Sequence, residues 1–203
     1  MSAAAFLAVA LALLYRTALS NPGNATGNDH AIADRAAALC GQLQDHLGPS
    51  RIVLPSNPEY TELREDNWSQ TAWRRPSCIA SLNATAEIAS LVSVLADNQI
   101  AFAIRYRGHS PNPHDSNIDT GVLIALANFD EVSSDAGTGL VSMGPGARWE
   151  AVYGELDKYN RSMVGGRVMD VGVGGLTLGS GLSYLSDLYV LACDNVVSYE
   201  DLL

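Results

Sequence analysis

The stretch Ile104-Arg105-Tyr106-Arg107-Gly108-His109-Ser110-Pro111 places arginine, glycine and histidine directly after an apolar run. The apolar run, residues 100–104, predicts a β-strand over residues 100–105, and the glycine and proline that follow predict the end of that strand. Backbone N–H groups and a positive charge at a strand end favour the binding of an anion, typically a phosphate. The same loop also places a nucleophilic imidazole, that of His109, next to the bound anion.

Hydrophobic periodicity predicts a small α/β lobe around this strand. Helices are predicted over residues 34–47, where Leu39, Leu43 and Leu47 form one stripe, and over residues 84–98. Short strands are predicted at 52–54 and 78–80, with irregular structure between them. Beyond the loop, the pattern predicts strands at 121–126 and 139–143 and a helix over 148–159.

Glycine is unusually dense between residues 164 and 182. Such density indicates either tight turns or a backbone that approaches a ligand closely. The apolar surroundings of Gly172-Val173-Gly174-Gly175 favour the ligand. A Rossmann dinucleotide fingerprint does not fit, because no strand–glycine–helix unit with a following acidic residue surrounds Gly172.

Six segments keep a recognisable order and approximate spacing, namely 104–111, 121–126, 144–149, 164–167, 171–176 and 191–197. This ordered set resembles the FAD-linked oxidoreductases related to berberine bridge enzyme, in the vanillyl-alcohol-oxidase flavoprotein superfamily. The resemblance runs from Leu39 to the last residue. It implies FAD as cofactor and an α+β fold, a two-lobed FAD-binding domain of the vanillyl-alcohol oxidase/PCMH type. The expected divisions are a signal peptide at 1–20, an N-terminal segment at 21–70 and the FAD-binding domain at 71–203, incomplete at its C-terminal end.

The resemblance also implies roles for individual residues. His109 would be joined covalently to the 8-methyl carbon of the flavin, because a neutral imidazole nitrogen can add to the electrophilic form of that carbon; the alternative is a histidine that only hydrogen-bonds in a turn. Many relatives carry a second covalent link from a cysteine, but Val168-Met169-Asp170 occupies that place here, so a single link is implied. The remaining implied cofactor residues are Arg105, Arg107, Gly108, Ser110, Gly165, Gly166, Val171, Gly172, Gly174, Gly175, Asp194 and Asn195.

Three departures from the family pattern carry structural expectations. The family loop is usually Arg-Ser-Gly-Gly-His, and Tyr106 and Arg107 replace its small residues, so Arg107 is expected to crowd the flavin phosphates. Ser180 interrupts the later glycine triplet, and Val190 stands where a glycine is expected. Any of these positions that requires a positive φ is expected to be strained.

The implied activity is oxidation of an alcohol or C–H group of a sugar or secondary metabolite, by hydride transfer to the flavin and reoxidation by dioxygen. A small side chain at Val171, near the reactive face of the ring, favours access for dioxygen; a plain core valine is the alternative. The substrate domain and the catalytic base of the family follow the residue that ends this sequence, so they are expected outside it. The alternatives are a non-catalytic flavin-binding remnant and a subunit that needs a partner chain.

The net charge bears on the binding partners, and the N-terminal sequence bears on the cellular compartment. The net charge of −10 offers no attraction for a phosphate backbone, which argues against nucleic-acid binding. The apolar stretch 3–14, followed by Ala18-Leu19-Ser20, predicts a cleaved signal peptide and a secreted protein. An uncleaved anchor is the alternative, although a spanning helix needs about 20 apolar residues.

Sequons and cysteines agree with export. N-glycosylation sequons begin at Asn24, Asn67, Asn83 and Asn160, and Asn67 and Asn83 are expected to be exposed. The family resemblance implies a disulfide between Cys40 and Cys78, while Cys193 is predicted to be a buried structural thiol. No metal site is predicted, because His114 and Asp115 are adjacent and no histidine cluster follows them.

Overall fold

The computed structural model describes residues 27–200, so the predicted signal peptide and the Asn24 sequon lie outside the described residues. The helices of this part are α1 (Gly27–Leu47), α2 (Tyr60–Arg64), α3 (Thr85–Asp97), α4 (Trp149–Asp157), α5 (Val173–Leu178) and α6 (Ser186–Tyr189). The strands are β1 (Ile52–Val53), β2 (Cys78–Ala80), β3 (Phe102–Arg105), β4 (Val122–Ala125), β5 (Val132–Ser134) and β6 (Val141–Met143). Short 3₁₀ helices occupy Gln70–Ala72 and Cys193–Asn195.

The first lobe is built on a four-stranded sheet with the order β1-β2-β4-β3. β2, β4 and β3 are parallel, with Ile79 opposite Leu123 and Leu123 opposite Ala103, and β1 is antiparallel to β2. The crossover from β2 to β3 runs through α3, as parallel strands require a long connection. The carboxyl ends of β3 and β4 therefore lie side by side, and the loop that follows β3 begins there.

Both faces of this sheet are covered, which explains why its strands are continuously apolar rather than alternating. On one face α1 and α3 pack through Ala36, Ile88, Leu91 and Leu95 against sheet residues such as Ile124. On the other face Tyr60 and Leu63 of α2 cover Ile79, Leu123 and neighbouring residues. The Tyr60 hydroxyl donates to the Pro76 carbonyl at 2.6 Å, and burial raises the pKa of this phenol.

The second lobe has its own core around Trp149. The antiparallel pair β5–β6 packs with α4 and α5, and Ala147, Trp149, Val152, Leu156 and Val173 are buried between them. α4 lies within the helix that the sequence predicts over residues 148–159. The two-lobed architecture expected from the family resemblance is therefore present.

The N-terminal segment belongs to the core of the first lobe. The disulfide expected between Cys40 and Cys78 is present and ties α1 to β2 across 38 residues of sequence. β1 also pairs with β2, and α1 packs in the same core as α3. The structure therefore has continuous packing on either side of residue 70, where the sequence analysis divides the chain.

Two of the sequons in the described residues are exposed, and one is not. Asn83 and Asn160 lie at the surface, whereas Asn67 is 8% exposed, so the expectation that Asn67 is exposed is wrong. Its amide donates to the Ser116 hydroxyl at 2.8 Å and takes part in a buried network, which leaves no room for a glycan on the folded chain. Within residues 27–200, no helix is long and apolar enough to cross a membrane.

Candidate functional site

The loop after β3 presents three successive backbone donors at the carboxyl end of the parallel strands. Gly108 has φ +65°, in the left-handed region, and a Cβ there would lie 2.8 Å from both the Asn67 amide and the Asp66 carbonyl oxygen. Within residues 27–200, the N–H groups of Gly108, His109 and Ser110 donate to no protein acceptor. Successive unpaired N–H groups next to a left-handed residue suit an anion.

Arg105 lies beneath this loop rather than at its surface. The side chain is almost fully buried, and its guanidinium donates to the Asn67 Oδ1 at 3.1 Å and to the Leu63 carbonyl at 2.7 Å. Burial lowers the pKa of Arg105, and Asp66 opposes that effect. The arginine holds the loop from inside, so a direct contact between its guanidinium and a bound anion stays a prediction that this geometry does not favour.

Tyr106 and Arg107 connect the loop to the glycine-rich segment of the second lobe. A Cβ on Gly172 would lie 2.8 Å from the Arg107 Cβ, and a Cβ on Gly174 would lie 2.5 Å from the Tyr106 ring. The structure thus brings together two segments that are more than 60 residues apart in the sequence. Because these two glycines pack on Tyr106 and Arg107, larger residues are accommodated in the first loop.

The Arg107 guanidinium points into the chain. Its Nε donates to the Gly146 carbonyl and its Nη2 to the Ala127 carbonyl at 3.2 Å, and Asp130 lies 3.7 Å away. Burial lowers the pKa of Arg107, with a further contribution from Arg148. The expectation that Arg107 crowds the flavin phosphates stays a prediction that this geometry does not favour, because the side chain is bonded at the junction of the two lobes.

Ser110 closes a polar turn with its neighbours. Its hydroxyl donates to the Asp115 carboxylate at 2.7 Å and accepts from the Asn112 N–H at 3.2 Å. The Asn112 amide donates to the same carboxylate oxygen at 2.8 Å. The Ser110 N–H, rather than its hydroxyl, is thus the group available to an anion.

The profile of the FAD binding domain family matches residues 76–203. The chain belongs to this family. Its cofactor is therefore FAD. The donor set at the end of β3, with the close approach permitted by Gly108, fits FAD on the chain's own geometry.

Similar proteins include FAD-dependent monooxygenases of fungi, and similar solved structures include an oxidase and a BBE-like protein. FAD-dependent monooxygenase tpcD of Cochliobolus heterostrophus is 38% identical over 175 residues, which cover 84% of this chain and 34% of that protein. 6-Hydroxy-D-nicotine oxidase of Arthrobacter nicotinovorans superposes with a TM-score of 0.67 at 26% identity, covering 71% of this chain and 31% of the oxidase. BBE-like 1 of Physcomitrella patens gives a TM-score of 0.66 at 21% identity over 72% and 32% of the two chains, and confirms the fold. The chain spans about a third of the length of the curated relatives it matches.

Most predicted FAD-binding glycines are packed by the chain itself. Gly165 and Gly166 lie against the buried Trp149 indole, at distances from a built Cβ of 2.2 and 2.4 Å. Gly175 differs, because it is exposed and only the Tyr106 ring comes within 4 Å of its Cβ position. Val171 is half-buried against the core of the second lobe, where its carbonyl accepts from the backbone N–H of Trp149 at 3.1 Å.

Asp194 and Asn195 organise the C-terminal turn. The Asp194 carboxylate accepts from the Leu191 N–H at 3.0 Å, and the Asn195 amide donates to the Tyr189 and Leu191 carbonyls at 2.8 Å. Backbone bonds connect this turn to Ser180 and Gly181. The contact of this turn with FAD stays a prediction.

Two of the three departures from the family pattern fall where the backbone favours glycine. Ser180 has φ +80°, and Val190 has φ +57° with ψ −147°. A β-branched residue is strongly disfavoured there, which confirms the expectation of strain. The strain lies in the segment between α5 and the C-terminal turn.

Replacing Val190 with glycine is expected to raise the free energy of unfolding by about 1 kcal/mol, because relief of the strained φ exceeds the entropy cost of glycine. Urea denaturation of the purified chain measures the change. Val197→Gly is the matched control, because Val197 is also exposed but has no positive φ. Equal midpoints for wild type and Val190→Gly would contradict the assignment of strain.

The sequence did not identify Trp68 as a site residue, and it identified Asn67 only as a glycosylation sequon. The Trp68 indole stacks on the His109 imidazole, with ring centroids 5.2 Å apart and an interplanar angle of 19°. The backbone N–H of Trp68 donates to the Gly108 carbonyl at 3.0 Å. The only signal in the sequence was an aromatic residue in a polar stretch, and that signal does not indicate a partner 41 residues away.

Proposed function

We propose that this protein is the flavin-binding part of an oxidoreductase that oxidises an alcohol or C–H group of a secondary metabolite or sugar. Hydride passes to the flavin, and dioxygen reoxidises it. The observation that supports this proposal is the loop at the end of β3, where three unpaired N–H groups and a stacked histidine occupy adjacent positions. The cofactor follows from family membership. The substrate class is inferred from the resemblance to enzymes of secondary metabolism.

Different residues of the chain would have different roles in FAD binding. The N–H groups of Gly108, His109 and Ser110 would bind the FAD pyrophosphate, and Gly175 would offer an open backbone surface near the Tyr106 ring. Buried Arg105 and the lobe-joining Arg107 would keep the loop in place. The fixed donors favour negative charge without reorganisation when it binds.

Attachment through His109 would form a bond between an imidazole nitrogen and the 8-methyl carbon. One C–H bond of the methyl group and the imidazole N–H bond would break, and both hydrogens would become the added hydrogens of the reduced flavin. Dioxygen, the proposed oxidant, would restore the oxidised state and leave as hydrogen peroxide. When bound, the flavin supplies hydride chemistry that side chains lack.

A second candidate function is supported by the apolar surface of the second lobe. Eight large apolar side chains between residues 178 and 199 are more than half exposed: Leu178, Leu182, Tyr184, Leu188, Tyr189, Val190, Val197 and Tyr199. A concentration of exposed apolar side chains in one stretch of the chain is a candidate interaction site. This surface favours a flavin-binding chain whose site is completed by another polypeptide, or a remnant without turnover.

The experiment supplies the chain with FAD and a panel of sugars and phenolic alcohols under ¹⁸O₂. Equal amounts of oxidised product and hydrogen peroxide, without ¹⁸O in the product, support the oxidase proposal. Incorporation of ¹⁸O points instead to a monooxygenase. A yellow protein without product supports the second candidate, and a colourless protein contradicts both.

A further inference from the structure

The Asn67–Trp68 segment clamps the His109 loop from one side. The backbone N–H of Trp68 donates to the Gly108 carbonyl at 3.0 Å, and the side-chain amide of Asn67 approaches the same oxygen at 3.5 Å. The Asn67 Oδ1 in turn accepts from Arg105 at 3.1 Å and from Asn117 at 3.2 Å. A single buried amide thus joins the strand end, the loop and the following segment.

This network fixes the backbone beneath Trp68. Buried polar groups with all their partners in place hold one conformation, because breaking any bond leaves an unsatisfied group. The Asn117 amide also donates to the Arg64 carbonyl at 2.9 Å, and Arg105 donates to the Leu63 carbonyl, so the segment before Asn67 is held as well. The Trp68 side chain therefore projects from a rigid base.

The side chain of Trp68 is unusual because it is 67% exposed, although tryptophan normally buries most of its surface. Its ring contact is the nearly parallel stack on His109. An exposed indole on a rigid base contributes little to the core. It does restrict the rotation of the histidine ring that it covers.

We propose that Trp68 is a positioning residue that holds the His109 imidazole in the orientation required for attachment to flavin. The inference rests on the proposed attachment through His109. Bond formation requires the reacting atoms to be about 3–3.5 Å apart and aligned, which a freely rotating loop histidine satisfies only part of the time. Asn67 acts through the backbone beneath Trp68, as a support for the same geometry.

The expected effect follows from the strength of an aromatic stack. Removing the indole should slow covalent attachment about 3- to 10-fold, because the stacked orientation loses its preference. The affinity for non-covalent FAD should stay unchanged, since the N–H donors of the loop are backbone groups. Trp68→Phe keeps a ring and should restore most of the rate.

The test uses the full chain as wild type, Trp68→Ala, Trp68→Phe and the control Tyr159→Ala. Tyr159 is also an exposed aromatic residue, but it lies after α4 in the second lobe. Apoprotein is mixed with FAD, and the acid-stable flavin in the protein pellet is measured over time. NMR of the apoproteins provides an independent readout, because the indole ring current shifts the His109 ring protons only when the stack is present.

Slower attachment in Trp68→Ala alone, with unchanged FAD affinity and a lost ring-current shift, is the expected result. Equal rates for wild type and Trp68→Ala would overturn the positioning role even if attachment itself occurs. Loss of FAD affinity in Trp68→Ala would also overturn it, in favour of a direct ligand contact. Absence of attachment in the wild type would refute the proposed attachment through His109 but not the oxidoreductase function, which the product assay tests. The ring-current shift would still report whether the stack exists.

Discussion

Alanine at position 109 is expected to abolish acid-stable flavin, leaving all bound FAD in the supernatant after acid precipitation. The reason is that no second anchor is available in the described chain. Cys40 and Cys78 are joined in a disulfide, and the place of the second anchor is occupied by Val168, Met169 and Asp170. The remaining thiol, Cys193, is half-buried in the C-terminal 3₁₀ helix and not fully buried as the sequence suggested.

The measurement compares visible absorbance of pellet and supernatant for wild type, His109→Ala and His114→Ala. His114 is a matched control, because it is a histidine five positions further along the chain. His109→Ala should keep non-covalent FAD, since the N–H donors belong to the backbone. Covalent flavin that persists in His109→Ala, or disappears in His114→Ala, would show that the attachment site is another residue.

The sequence predicted the elements that have long regular patterns. The stripe of Leu39, Leu43 and Leu47 does lie against the first core, and the helix predicted over 148–159 does bury Trp149. The short strands β1, β2 and β6 were predicted, but three other short elements were missed, namely α2, β5 and α5 of five, three and six residues. Such segments are formed by the surfaces they pack against, so their own periodicity is too brief to indicate them.

The backbone consequences of the family departures were predictable because they depend on one residue at a time. A serine or valine in a glycine position is strained wherever φ is positive, and Ser180 and Val190 show this. Arg107 was not predictable in the same way. Its direction depends on the carbonyls of Gly146 and Ala127, which are distant in sequence and reach it only after the two lobes have packed.

The inward position of Arg105 was hidden for a similar reason. A cation at a strand end favours an anion in the absence of other partners, but Asn67 and Leu63 provide those partners from a segment that the sequence marked only as irregular and glycosylated. A buried network of this kind is assembled from residues about 40 positions apart. The composition of the sequence and the spacing of its motifs therefore do not predict this network.

Alanine at position 165 is expected to lower the free energy of unfolding by about 3 kcal/mol, because its Cβ would lie 2.2 Å from the Trp149 ring. Trp149 is fully buried and cannot move without disturbing α4 and the second core. The matched control is Gly154→Ala in the middle of α4. No atom comes within 4 Å of that Cβ position, so the change should stabilise the chain by about 1 kcal/mol.

The same pair of variants decides why glycine is so dense in this segment. If Gly165 serves the packing of Trp149, the alanine variant loses stability already as apoprotein, in urea denaturation without FAD. If the glycine instead permits the approach of FAD, the apoprotein keeps its midpoint and only the affinity for FAD falls. The contact with Trp149 predicts the first result. It also predicts that the same concentration of FAD raises the free energy of unfolding of the variant and of the wild type by equal amounts.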